Sequence, residues 1–226
     1  MSSPARAHFE RVSAALAAAS AAPGESLAGA SRYELMLAKL ATDRHRLHSI
    51  KSIERKIAVK REVLPEYADY VAGSLEGGRG AQDDVLTTIM LWRIDAGDFA
   101  GALSIAEYAL THRLTLPDSF DRSTATVVAE EFAEQAIIAL KANQPFDVDQ
   151  LKHVADLTES HDMPDQVRAK LYKALGLASQ DKPEVALLYL NRALQLHDRV
   201  GVKLDIDRLQ KQLGTLATGS DAGGGN

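Results

Sequence analysis

The chain has 226 residues, 46% hydrophobic and 25% charged, with 15 Gly and 7 Pro; these are globular proportions and exclude collagen-like or wholly disordered chains. It has no cysteine, which removes disulfide frameworks and Cys-ligated zinc sites and fits a reducing, intracellular setting. The net charge of −5 hides an asymmetry: residues 31–64 carry nine Lys/Arg against four acids, residues 1–30 balance, and the rest is acidic, so one part of the chain suits a polyanionic partner.

Aromatics are only 5% while Ala and Leu abound, which favours helices over pleated surfaces. No apolar run approaches the length needed to span a membrane. Near the start, Arg6 and Arg11 precede an Ala-rich run from Leu16 to Ala22 that loosely mimics a signal peptide. Glu10 and the single Leu among alanines argue instead for a short surface helix over 5–20, then a flexible linker with Pro23, Gly24 and Gly29.

Ser31 is placed to cap the next helix, with Glu34 closing a capping box, and the pattern predicts one long basic helix to Leu64, before Pro65. Its apolar residues Tyr33, Leu40, Leu47, Ile50, Ile57 and Leu64 recur at spacings of 7, 7, 3, 7 and 7. That is an a/d-like seam, long enough to pair with another helix or with a copy of itself. At about 100° per residue, Arg44, His48, Lys51 and Arg55 fall within about 40° of one direction, away from the seam. One face packs and the other is a cationic stripe.

A short helix of 66–76 follows, closed by a turn at Gly77 to Gly80. A helix of 82–96 carries Asp83 and Asp84 in its first turn and ends at Gly97. Asp98 caps a helix of 99–113, Ser123 or Thr124 opens another to Lys141, and Asp147 caps 148–160 after the break at Pro145. Helices of 165–179, 183–199 and 202–214 complete the body, and the Gly-rich end reads as disordered. The expected division is a flexible 1–30, a basic helix 31–64, a central helical domain 65–145, helical hairpins 146–214 and a tail 215–226. The fold class is all-α. Trp92, Gly97, Ala102, Ala106 and Ala109, and again Tyr172, Leu175, Gly176, Ala186, Leu190 and Ala193, alternate large and small residues as tetratricopeptide-like helical hairpins do. Small residues at helix crossings explain both without repeat ancestry.

Familiar catalytic patterns are missing. The Gly-rich run Gly73 to Gly80 leads into Ala81, Gln82, Asp83 and Asp84, where a phosphate loop needs Lys-Ser/Thr, so it is a turn and carries no ATPase. Asp83 with Asp84, and Glu130 with Glu131, are the acidic pairs to weigh as nuclease metal ligands. Adjacent helical residues diverge by about 100°, so a doublet supplies one ligand at most and reads as a helix-start pair or a solvated face. His45 and His48 sit at i, i+3 but between Arg44 and Arg46, and the other histidines are scattered, so neither metal nor cofactor is expected. The remaining candidate is the basic segment. Arg44, Arg46, His48, Lys51, Arg55, Lys56, Lys60 and Arg61 are positioned to neutralise successive phosphates of DNA, against the plainer reading of a solvated helix face.

The block GAQDDVLTTIMLWRIDAGDFAGALSIAEYAL at 80–110 resembles the central block of the gpM-like small terminase subunits of temperate, contractile-tailed phages. The segments at 1–6, 33–40, 60–65 and 162–171 match in the same order, so the resemblance spans about 1–214. It implies a protein that binds the packaging site on concatemeric viral DNA, assembles as a homo-oligomeric ring, and hands DNA to a large terminase subunit bearing ATPase and nuclease. That work takes place in the host cytoplasm, away from membranes. This branch is labelled "terminase endonuclease subunit", which keeps a metal-dependent endonuclease as the alternative; a scaffold binding only proteins is a third. Family members end in a Lys/Arg/Pro-rich tail, whereas this chain ends Gly-rich, so contacts made by such a tail are not expected of these residues.

Overall fold

The computed structural model describes residues 3–25, 31–117 and 122–221. The described residues form eleven α-helices and no strand, in two compact units divided at Thr124. The helices are α1 (Pro4–Ser20), α2 (Ser31–His48), α3 (Ile53–Val63), α4 (Ala68–Gly77), α5 (Asp84–Ala96), α6 (Phe99–Thr111), α7 (Thr124–Lys141), α8 (Val148–Thr158), α9 (Asp165–Ala178), α10 (Pro183–Leu196) and α11 (Lys203–Asp221).

In the first unit α5 is the central element. Val85, Leu86, Ile89, Met90, Trp92 and Ile94 are buried, so apolar residues surround this helix and neighbours cover it on several sides. Helices α2, α3 and α6 all pack on it. The step from α5 to α6 follows the sequence expectation: Gly97 takes φ +84°, where a Cβ would be strained, and the Asp98 carboxylate accepts from Gly101 N at 3.1 Å. Helix α1 lies along α4 through small residues. Ala14 and Ala18 are buried, and a Cβ on Gly73 or Gly77 would stand 2.2 Å from the Arg11 carbonyl or 2.4 Å from that of Ala15. Backbone bonds from Gly24 N to Gly80 O and from Gln82 N to Glu25 O, both 2.8 Å, pin the chain after α1 beside the turn that follows α4.

The second unit is a run of helical hairpins. Asp147 caps α8 through Asp149 N at 2.9 Å, and α9 pairs closely with α10. A Cβ on Gly176 would meet Leu190 at 2.5 Å, so the glycine sets how near the two helices come. Ala186 and Leu190 of α10 form one core with Val202, Ile206 and Leu209 around α11.

Two expectations need correction, the unbroken helix of 31–64 and the end of the last helix. The long helix of 31–64 is two helices, broken at 49–52. The Ser49 hydroxyl bonds back to Arg46 O at 2.7 Å, while Ser52 turns out as the cap of α3 and accepts from Arg55 N at 3.3 Å. Hydroxyls competing for backbone groups on both sides end one helix and start the next without Gly or Pro. Of the two pairings open to the seam, the one with other helices of the chain is seen: Tyr33, Leu40, Leu47 and Leu64 are buried, and α2 packs on α1 and α5. Finally, the last helix runs on to Asp221, beyond the expected end at 214. The Ser31 side chain and residues 26–30, where the cap and part of the linker were expected, lie outside the described residues.

Candidate nucleic-acid interface

Helices α2 and α3 form a hairpin about a four-residue turn, and several cations of the basic segment brace it. The Arg46 guanidinium donates two bonds to Glu62, 2.9 and 2.8 Å, tying α2 to α3. That bond holds the Glu62 carboxyl below its ordinary range and raises Arg46 further. Lys60 pairs with Asp95 of α5, and Arg61 Nε donates to Ala96 O at 2.9 Å, at the end of the same helix. Arg44 donates to the Thr88 hydroxyl at 2.7 Å. Elsewhere on α2, buried Asp43 accepts from the Tyr67 hydroxyl at 2.6 Å and from Lys39 at 2.9 Å. Lys39 also meets Glu66 at 2.9 Å and lies 4.8 Å from the Tyr67 ring centre. Burial first, then the bond to Asp43, pushes the Tyr67 hydroxyl well above its ordinary pKa, so it remains a donor.

The eight candidate residues therefore divide. Arg44, Arg46, Lys60 and Arg61 are held by partners inside the unit. His48, Lys51 and Arg55 are exposed and Lys56 is half-buried, and no ion pair among the described residues engages any of the four. They end α2, occupy the turn and fill the first turn of α3, so the break gathers them at one end of the hairpin instead of along one stripe. Beside them stands Ile53, 76% exposed, a residue that no motif or spacing in the sequence marks.

The acidic pairs have other partners. Asp83 is buried and caps α5: one oxygen accepts from Leu86 N at 2.8 Å, the other from the Tyr70 hydroxyl at 2.7 Å. Burial pushes its carboxyl up to about 6, even though both bonds favour the charged form. Glu130 accepts from Lys170 at 3.1 Å. No three His, Asp or Glu side chains among the described residues are grouped to hold a metal ion. The glycine-rich run is a packing device. Gly73 and Gly77 admit α1, and at Gly80, φ +86°, the space a Cβ would need is filled by the His112 ring.

One feature of the second unit had no signal in the sequence, a groove of about 450 Å³ between α8, α9 and α10. Tyr172 and Tyr189, stacked with centroids 6.2 Å apart, line it together with Lys152, Arg192 and Glu159. The tyrosines stand 17 residues apart, so only the α9–α10 pairing brings them together.

A family model described as phage small terminase subunit matches residues 37–166. The chain is 48% identical over 216 residues to the "Terminase, endonuclease subunit" of Escherichia phage P2, covering 94% of this chain and 86% of that protein. It is 27% identical over 205 residues to the "Probable terminase, endonuclease subunit" of Haemophilus phage HP1, covering 84% and 73%. No solved structure gives a significant match.

Proposed function

The chain belongs to the phage small terminase subunit family, and we propose that within phage DNA packaging it serves as the DNA-recognition and assembly adaptor. In this reading it binds the packaging site on concatemeric duplex DNA in the host cytoplasm, closes into a homo-oligomeric ring and delivers the DNA to the large subunit. The supporting observation is the braced hairpin that carries His48, Lys51, Arg55 and Lys56 without ion-pair partners among the described residues. Cations held at one end of a rigid element can neutralise neighbouring phosphates and release their counterions. Such contacts position a protein but specify no bases, so any selection the cations support draws on DNA shape and on many weak contacts around a ring.

The test is a salt titration. Lys51→Ala, Arg55→Ala and Lys56→Ala together should lower affinity for any duplex and reduce the slope of log affinity against log salt by about one unit per lost contact. A folded triple variant with wild-type affinity and slope would move the DNA site elsewhere.

The names of the P2 and HP1 relatives favour a second reading, a metal-dependent endonuclease. Asp83 is buried and already accepts from Leu86 and Tyr70, and Glu130 accepts from Lys170, so both have roles within the fold. Purified chain incubated with duplex DNA and Mg²⁺ or Mn²⁺, without the large subunit, separates the two. Clean cutting supports the nuclease; intact DNA leaves the cutting to the large subunit or the holoenzyme.

A further inference from the structure

Ile53 is the first residue of α3 and 76% exposed. A lone exposed apolar side chain is ordinary on a protein surface. This one is set among cations. Lys51 stands two residues before it, Arg55 and Lys56 share its helical turn, and none of the three has an ion-pair partner among the described residues. Glu54 is the one acid of that turn. The Ser52 hydroxyl is already engaged as the helix cap. The hairpin behind is fixed by the Arg46–Glu62, Lys60–Asp95 and Arg61–Ala96 contacts, so whatever the turn meets, it meets as a rigid body.

Resting on the DNA-binding reading above, we infer that Ile53 gives this turn its base readout, packing against the C5-methyl group of thymine in the major groove. Lys51, Arg55 and Lys56 supply charge complementarity to the phosphates, and phosphate contacts carry no sequence information. A branched apolar side chain between them reaches the base edges, where the major groove offers one apolar group, the thymine methyl. In helix-turn-helix proteins the helix that enters this groove sets its N-terminal residues against the bases, and Ile53 is the first residue of α3. Burial of one methyl corresponds to about fourfold in affinity (about 0.8 kcal/mol) for each turn engaged.

The experiment uses the full-length chain and two probes, a short alternating dA·dT duplex and the same duplex with deoxyuridine replacing every thymine. Wild-type protein should bind the thymine duplex at least about fourfold more tightly. Ile53→Ala should bind both alike, at the affinity of wild type for the uracil duplex and with an unchanged salt slope. Ile53→Val should keep part of the preference. Absence of a preference in the wild type, or its survival in Ile53→Ala, overturns the inference and leaves the DNA-binding reading standing. If the Lys51, Arg55, Lys56 triple-Ala variant also binds as wild type does, the underlying reading falls with it. Circular dichroism confirms that each variant is folded.

Discussion

Arg46 and Glu62 grip each other through two parallel hydrogen bonds across a turn that helical periodicity does not reveal. Both side chains are open to solvent, so the pair contributes to the direction of α3 more than to stability. Reversing one charge, as in Glu62→Arg, should set two guanidiniums against each other. Amide exchange at 49–52 should quicken while the melting temperature scarcely moves. Adding Arg46→Glu should restore the wild-type exchange rates; failure of that rescue would show that the turn holds its form without the pair.

Gly77 offers a prediction of unusual sign. Replacing a helical glycine with alanine ordinarily stabilises by about 1 kcal/mol. Here the added Cβ would stand 2.4 Å from the Ala15 carbonyl, which is backbone and has no rotamer to yield. Gly77→Ala should therefore destabilise by about 1–3 kcal/mol, the range for overpacking. Amides of α1 should lose protection while α5 and α6 keep theirs. A stabilised variant would mean that α1 does not hold this seat on α4.

Asp83 makes stability depend on pH in a stated direction. Its folded-state pKa, about 6, lies above the ordinary 3.8, so the folded chain keeps the proton that the unfolded chain has released. The associated stability is complete below about pH 4 and is lost as pH rises through about 6, a change of up to about 3 kcal/mol. Asn at this position can still accept from Leu86 N and can donate to the Tyr70 oxygen. Urea unfolding between pH 4 and 7 should show Asp83→Asn gaining on wild type as pH rises. A constant difference between the two would refute the shift.

Local chemistry was legible in the sequence, and tertiary engagement was not. Asp98, Asp147 and Gly97 do what their residue types announce, because caps and left-handed turns are settled within four residues. The break at 49–52 leaves no mark in the hydrophobic pattern, because Leu47, Ile50 and Ile57 keep helical spacing through it and no Gly or Pro stands there. The seam was visible as apolar, but periodicity cannot tell whether an apolar face meets its own chain or a copy. Leu40 is fully buried and Leu47 nearly so, with α2 packed on α1 and α5. Leu47→Asp is accordingly a folding lesion, unsuited to probing a ring contact. Likewise, Arg46 and Lys60 look as free in the sequence as Lys51 does. Their partners, Glu62 and Asp95, stand 16 and 35 positions away.

That division of the basic segment yields the last prediction, a double dissociation within one run of cations. Lys60 and Arg61 work for the fold. Lys60 pairs with Asp95 in a partly buried contact, and Arg61 satisfies the carbonyl of Ala96 where α5 runs out of helical donors. Removing both side chains leaves an acid and a helix end short of partners, so Lys60→Ala with Arg61→Ala should lower stability by about 1–3 kcal/mol. Lys51, Arg55 and Lys56 have no such partners among the described residues, so their triple change to Ala should leave the melting temperature nearly unchanged. In DNA binding the order reverses. The triple variant should lose about three units of salt slope, whereas the Lys60, Arg61 variant, assayed well below its melting temperature, should keep the wild-type slope. Were both variants to lose slope equally, the phosphates would be touching the whole hairpin, and the bonds of Lys60 and Arg61 would have to open on binding. Were neither to lose any, the cations at the turn would be a solvated helix end, and the DNA contact would belong to another surface.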